Sequence, residues 1–360
     1  MKKIHERLTV FLFCGFIGSM LLGYFLIPQQ TYSEKEKRFL AEAPSIVWED
    51  IASGQWGEDA ESYMADHIPG RDFFVGLNAY FDLLTGRQVS KDIWVLDGKL
   101  VEAPYAYAEG QVSMNMQTIN RFAETVGQDV HLMIVPSAGW ATGNSQYRDT
   151  EIIDAIYTKA ETVTAVDMRP VFAGHPELYY DTDHHWNAAG AFVGYRALME
   201  ELDREWKPAE EFAKETPTMF HGSNYSRSGL WLHPAESFEI WHGSEHLTVI
   251  NGESEDVHQG VIYEERLTEG DKYTAFLDGN HSIVRIHNPE KEGKILVIRD
   301  SYSNSLGCFL AESYGEVVLV DLRYYKHPVS QLCAEENFDD IVVGYCIGNF
   351  LTDTNLLWLK

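Results

Sequence analysis

Five consecutive residues, Thr182-Asp183-His184-His185-Trp186, place a carboxylate and an imidazole two positions apart on one short loop. Further along, the apolar run Ile295-Leu296-Val297-Ile298 leads through Arg299 and Asp300 to Ser301, a serine at a strand-to-turn junction. A carboxylate that orients an imidazole, and an imidazole that takes the proton of a serine, form a constellation for acyl transfer. In this reading Ser301 is the nucleophile, His185 the general base and Asp183 the group that fixes the tautomer of the imidazole and stabilises its charged form.

Each residue also has a plainer reading. A serine at such a junction often only caps a helix by accepting a bond from a free backbone N–H. Asp183 could cap the helical run over 187–199, but Asn187 already stands at the cap position. His184 and Asp181 are the neighbours that compete for the two roles. A metal centre is the rival chemistry, because Asp181, Asp183, His184 and His185 crowd together and His with Asp can bind zinc. Adjacent histidines point apart as a rule and the spacing supplies no third partner, so neither a metal nor any other cofactor is expected. Trp186 reads as a packing residue before it reads as a wall of a sugar site.

The elements that must position these groups alternate. Val130 to Pro136 reads as a short strand, with helical segments at 111–126 and 151–163 on either side. The Asp-x-His loop and its helix follow. Strands are expected at 295–299, 317–320 and 341–346, with a helix at about 303–313. Apolar strands alternating with helices predict a mostly parallel sheet covered on both faces. In such sheets ligands bind beyond the carboxyl ends of the strands, which is where Ser301 falls. Residues 207–275 are irregular and read as an insertion of loops and short strands. We find no internal repeat. Residues 91–360 thus form the main α/β domain, and residues 29–90 a polar stalk and helical cap broken at His67-Ile68-Pro69-Gly70-Arg71.

Residues 8–27 carry no charge and are long enough to span a bilayer as a helix. Lys2, Lys3 and Arg7 precede them, and no small-x-small cleavage site comes after, so residues 1–28 read as an uncleaved signal anchor. A terminal anchor of this kind exports the chain on its C-terminal side, which places the main domain outside the cytoplasm. The net charge of -27 repels phosphate backbones and argues against nucleic acid as a partner. Hydrophobic content of 45% is ample for a globular core. The four cysteines form no CxxC and read as buried thiols rather than a redox or zinc motif.

The Asp183-His184-His185-Trp186 loop, the Asp300-Ser301-Tyr302-Ser303 turn and Val320-Asp321-Leu322-Arg323-Tyr324 together resemble the DHHW family. So do Phe220-His221-Gly222-Ser223 and Phe276-Leu277-Asp278-Gly279-Asn280-His281. The family is similar to the SGNH-like proteins that O-acetylate alginate, and the resemblance spans roughly residue 30 to the end. It implies an SGNH-hydrolase-like three-layer α/β/α fold with a circularly permuted motif order, since Asp183 and His185 precede Ser301. It also implies an oxyanion Asn and Gly from later loops. Asn349 could correspond to the Asn; no Gly is placed, and Asn280, Arg323 and Tyr324 compete for lining the site.

The resemblance implies acetyl transfer onto a cell-surface or exported polysaccharide. The acetyl group would come from a membrane-bound acyltransferase, because acyl-CoA is not expected outside the cell. An extracytoplasmic acetyl-esterase with the same triad, or a non-catalytic glycan-binding component of an export complex, are the alternatives.

Overall fold

The computed structural model describes residues 2–87 and 89–360. The chain divides into two compact units, residues 1–91 with 225–233, and residues 92–224 with 234–360. Residues 225–233, from within the irregular segment, therefore belong with the N-terminal unit.

In the N-terminal unit, residues Lys2–Leu26 form one helix. Its segment Ile4–Leu26 has a mean hydropathy of 2.0 and is not buried, so it is long and apolar enough to cross a membrane. Helices Trp48–Ser53, Gln55–Asp66 and Arg71–Leu84 come next. The last two are separated at Gly70, whose φ of 71° is a left-handed conformation that glycine adopts without a Cβ penalty. Arg38 pairs with Asp66, which holds the Asp66 carboxyl down at about 2.

The larger unit is built on an eight-stranded sheet. In chain order its strands are β1 (Val130–Val135), β2 (Thr164–Asp167), β3 (Thr248–Asn251), β4 (His258–Gln259), β5 (Ile283–His287), β6 (Lys294–Arg299), β7 (Glu316–Val320) and β8 (Asp340–Cys346). Their spatial order is β4-β3-β5-β7-β6-β8-β1-β2. The five strands β7, β6, β8, β1 and β2 run parallel to one another, while β5, β3 and β4 extend the β7 edge antiparallel. Four strands of the parallel half, β1, β6, β7 and β8, match those expected from the sequence, whereas the edge strand β2, which follows the helix expected over 151–163, is not among them. The antiparallel extension goes beyond that expectation, and two of its strands come from the irregular segment.

Alternation along the strands explains the two covered faces. Met133, Val135, Ile295, Val297, Val317, Leu319 and Val342 enter one core, against helix residues Ala191, Tyr195, Leu198, Leu306 and Phe309. Their neighbours Leu132, Ile134, Leu296, Ile298, Val318 and Val343 enter the other, against Val112, Met116, Ile119, Ile152 and Ile156. Successive side chains on a strand point to opposite faces, so a continuous apolar run serves both layers. The result is a three-layer α/β/α arrangement. Strand β6 feeds β7 on one side, and the chain then returns to β8 on the other side of β6. The carboxyl ends of β6 and β8 thus lie at the topological switch point, where open α/β sheets bind ligands.

All four cysteines are free; Cys308 and Cys346 are buried as expected, whereas Cys333 is half-buried and Cys14 is exposed on the apolar N-terminal helix.

Candidate active site

Ser301 follows β6 directly, and Asp300 ties that turn down. One Asp300 oxygen accepts from Tyr302 N–H at 3.0 Å; the other accepts from Cys346 N–H at 2.8 Å and from the Asn349 amide at 2.9 Å. The carboxylate therefore joins the ends of β6 and β8. Helix Ser303–Leu310 begins after the turn, with no side-chain cap at its start. The hydroxyl of Ser301 is committed elsewhere: it lies 2.8 Å from His185 Nε2.

The loop that brings His185 there is built from below. Trp186 is fully buried, stacks on Phe172 with centroids 5.9 Å apart, and donates from Nε1 to Tyr302 O at 3.1 Å and Ser305 Oγ at 2.9 Å. Gly194 makes room for it, since a β-carbon there would come 2.7 Å from the indole. Asn187 caps helix Ala188–Glu201 by accepting from Gly190 N–H at 3.0 Å, which leaves Asp183 free of that duty. Upstream, Glu236 accepts from the N–H groups of Asp181 at 2.6 Å and Thr182 at 2.7 Å. The hairpin of Ile93–Leu96 and Lys99–Glu102 holds Asp181 from the other side, through Leu100 N–H to Asp181 O at 2.7 Å and through the Lys99 ammonium on its carboxylate.

Asp183 Oδ1 lies 2.6 Å from His185 Nδ1 and accepts from the His185 N–H at 3.0 Å. Its Oδ2 accepts from Ser223 N–H at 2.7 Å. Burial on its own would raise this carboxyl. The neighbouring imidazoles of His185 and His184, with the hydrogen bonds, outweigh it and hold Asp183 well below the usual carboxylate range. An ionised carboxylate only accepts, so Nδ1 of His185 carries the proton and Nε2 is left to accept from Ser301. The imidazole lies face to face on Tyr273, with centroids 3.8 Å apart and planes 9° apart. Tyr273 in turn donates to Ser301 O at 3.2 Å.

His184 turns to Ser223, with Nδ1 2.7 Å from its Oγ. Burial, and then the His185 imidazole beside it, push His184 below the ordinary histidine range. Among the described residues, Asp183, His184 and His185 are grouped closely enough to offer a metal one ligand atom each. Asp183 Oδ1 and His185 Nδ1 face each other at 2.6 Å, so this pair is engaged in a hydrogen bond.

The structure thus brings Asp183, His185 and Ser301 into one hydrogen-bonded chain. The other sequence candidates are engaged elsewhere. Asn349 is bonded to Asp300. Asn280 accepts from Arg299 at 2.9 Å and Asn304 at 3.1 Å. Arg323 forks onto Asp321, and Tyr324 is exposed. Arg323 and Asn349 line a cavity of about 190 Å³ with Arg299, Asp300 and Asp353. Sequence reasoning gives no role to Tyr273, Ser223 or Glu236. For Ser223 a signal exists in Gly222: a β-carbon there would lie 2.2 Å from Asp183 Cβ, so only glycine admits this approach. For Tyr273 and Glu236 the sequence carries none.

A mostly parallel sheet between two helical layers, with a serine at the carboxyl end of a switch-point strand, defines a three-layer α/β/α protein. The chain belongs to the DHHW family: the family model, described as DHHW protein, matches residues 141–320, a range that holds Asp183, His185 and Ser301. Among solved structures it is similar to a DHHW family protein from Eubacterium siraeum, at 21% identity and a TM-score of 0.67, covering 75% of this chain and 95% of that one. It is also similar to Bacillus cereus PatB1 with a sulfonyl adduct, at 20% identity and a TM-score of 0.64, covering 74% and 98%. The O-acetyltransferase domain of Pseudomonas putida AlgJ aligns more loosely, at 17% identity and a TM-score of 0.44, covering 72% and 92%. No curated protein sequence matches the chain.

Proposed function

We propose that this protein is an extracytoplasmic O-acetyltransferase that modifies a cell-surface or exported polysaccharide through an acyl-enzyme on Ser301. The observation that carries the chemistry is the unbroken chain from Asp183 Oδ1 through His185 to Ser301 Oγ, with links of 2.6 and 2.8 Å. The acetyl group and the glycan acceptor rest on the family resemblance, and the location on the apolar N-terminal helix acting as a signal anchor.

In the first half-reaction Ser301 Oγ attacks the acetyl carbonyl while its proton passes to His185 Nε2. Asp183 stabilises the imidazolium that forms. The tetrahedral intermediate collapses, the carbonyl–donor bond breaks, and His185 returns the proton to the leaving oxygen. In the second half a sugar hydroxyl attacks the acetyl-enzyme, His185 takes its proton, and Ser301 is released with that proton. Among the described residues no group accepts from the Ser301 N–H, which leaves it available to the oxyanion. One such donor is worth about 3 kcal/mol of barrier. Asn349 would add a second only by giving up its bond to Asp300. A membrane-bound acyltransferase would supply the acetyl group on the outer side.

The test is turnover of a chromogenic acetyl ester by the detergent-solubilised full-length protein, with mass spectrometry of the peptide containing Ser301. Acetyl or phenylmethanesulfonyl adducts on Ser301 are expected in the wild type and absent in Ser301→Ala. Full activity in Ser301→Ala would refute the assignment. Hydrolysis without transfer to any glycan acceptor would make the protein an esterase, and no turnover with either would favour a binding role.

A further inference from the structure

Helix Arg71–Leu84 reverses the usual pattern of a surface helix. At 3.6 residues per turn, Phe73, Phe74, Leu77, Phe81 and Leu84 share one side, and all five are exposed, Leu84 at 86% and Phe73 at 66%. The side that packs is made of small residues. Gly76 and Ala79 are buried, and a β-carbon on Gly76 would come 2.8 Å from the Trp231 indole. Trp231 Nε1 donates to Asp72 O at 2.9 Å, and Tyr80 Oη accepts from Leu232 N–H at 2.8 Å. The charged side chains of the helix lie off this face and are paired: Arg71 with Glu36 at 3.0 Å, Asp72 with Lys35 at 3.8 Å and Asp82 with Arg87 at 3.1 Å. The outward side is therefore uncharged, aromatic and held in place from behind. Contiguous exposed apolar surface of this kind marks an interaction site.

The neighbour of this face indicates what covers it. Phe16 of the N-terminal helix stands edge-on to Phe74, with ring centroids 6.4 Å apart. Gly23 abuts Pro69, where a β-carbon would lie 3.0 Å from the ring. At a rise of 1.5 Å per residue, Gly23 and Phe16 lie about 5 and about 15 Å below the helix end at Leu26. Both depths fall within one leaflet of a hydrocarbon core about 30 Å thick. The apolar face of helix Arg71–Leu84 is thus continuous with the surface of the N-terminal helix that a bilayer would surround.

We propose that helix Arg71–Leu84 is a second membrane contact, which beds Phe73, Leu77, Phe81 and Leu84 among lipid acyl chains in the leaflet beside the C-terminal half of the N-terminal helix. The inference rests on the reading of Ile4–Leu26 as membrane-spanning. An interfacial helix binds by burying its apolar face at the headgroup–acyl boundary, and this helix presents such a face with its polar side already satisfied by protein.

The test uses the full-length protein in liposomes of phosphatidylglycerol and phosphatidylethanolamine doped with a phospholipid that carries a diazirine in its acyl chain. Irradiation, digestion and mass spectrometry then map the lipid adducts. Adducts are expected both within 8–26 and within 73–84. The triple variant Phe73→Ser/Leu77→Ser/Phe81→Ser should lose the second set several-fold, keep the first, and retain the wild-type circular dichroism spectrum. Adducts confined to 8–26 would overturn the proposal while leaving the anchor intact. Adducts in neither segment would overturn both. Intermolecular protein cross-links at 73–84 in place of lipid adducts would assign the face to a protein partner and overturn it as well.

Discussion

His185 and Tyr273 lie ring on ring, 3.8 Å apart and tilted by only 9°. The same tyrosine donates to Ser301 O at 3.2 Å and sits 3.1 Å from Ser305 Oγ. One side chain therefore sets both the plane of the imidazole and the height of the serine turn. Tyr273→Leu should lower kcat by up to about 10²-fold, because a misplacement of about 1 Å at the reacting groups can cost that much. KM for a small acetyl ester should change little. Steady-state kinetics on the variant, with thermal melting as the folding control, checks this; an unchanged kcat would remove Tyr273 from the positioning role.

Asp183→Asn keeps the shape of the side chain but removes the carboxylate that requires a proton on His185 Nδ1. A drop in kcat of about 10³ to 10⁴-fold is expected, with the fold retained, as for other triads that lose their acidic member. His184→Ala should cost stability before chemistry, since His184 bonds Ser223 rather than Ser301. Ester turnover should withstand exhaustive chelation. Loss of activity on chelation, restored by zinc, would contradict the triad.

Gly222→Ala tests the closest approach at the site. The new β-carbon would fall 2.2 Å from Asp183 Cβ and 2.6 Å from its Cα, atoms that cannot swing aside. Overpacking of this kind costs about 1–3 kcal/mol. Both the melting temperature and kcat should fall, because relief of the clash pushes Asp183 off His185. A variant with wild-type activity would show that the loop moves more freely than this packing implies.

Glu236 and Asp183 make stability depend on pH in opposite directions. Burial lifts the Glu236 carboxyl from 4.5 to about 7. Between those values the folded protein binds more protons than the unfolded chain, so stability falls as pH rises. The contribution is on the order of 3 kcal/mol. Asp183 is held low, so its contribution is lost only in acid, as pH falls through its depressed value. Melting temperatures across about pH 4.5–7.5 should decline more steeply in the wild type than in Glu236→Gln. Parallel curves would show that Glu236 does not titrate in that window.

The residues of the candidate site are largely legible in the sequence. The Asp183-x-His185 spacing, the serine after an apolar strand and the Asn187 cap are local patterns, set by a few neighbouring residues. Four of the five parallel strands are legible for the same reason, as continuous apolar runs such as Ile295 to Ile298 that serve both faces of a sheet, whereas the short edge strand Thr164–Asp167 carries no such run. The antiparallel strands at Thr248–Asn251 and His258–Gln259 are not. They are short, and their pairing depends on register with β5 rather than on any periodicity of their own. The lining of the site is likewise a matter of tertiary structure. Asn349, Asn280 and Arg323 carry the right chemistry, but buried Asp300, Arg299 and Asp321 must be paired, and they draw these side chains to themselves. Tyr273 reaches His185 because the chain folds its loop under the imidazole, and no spacing in the sequence records that contact.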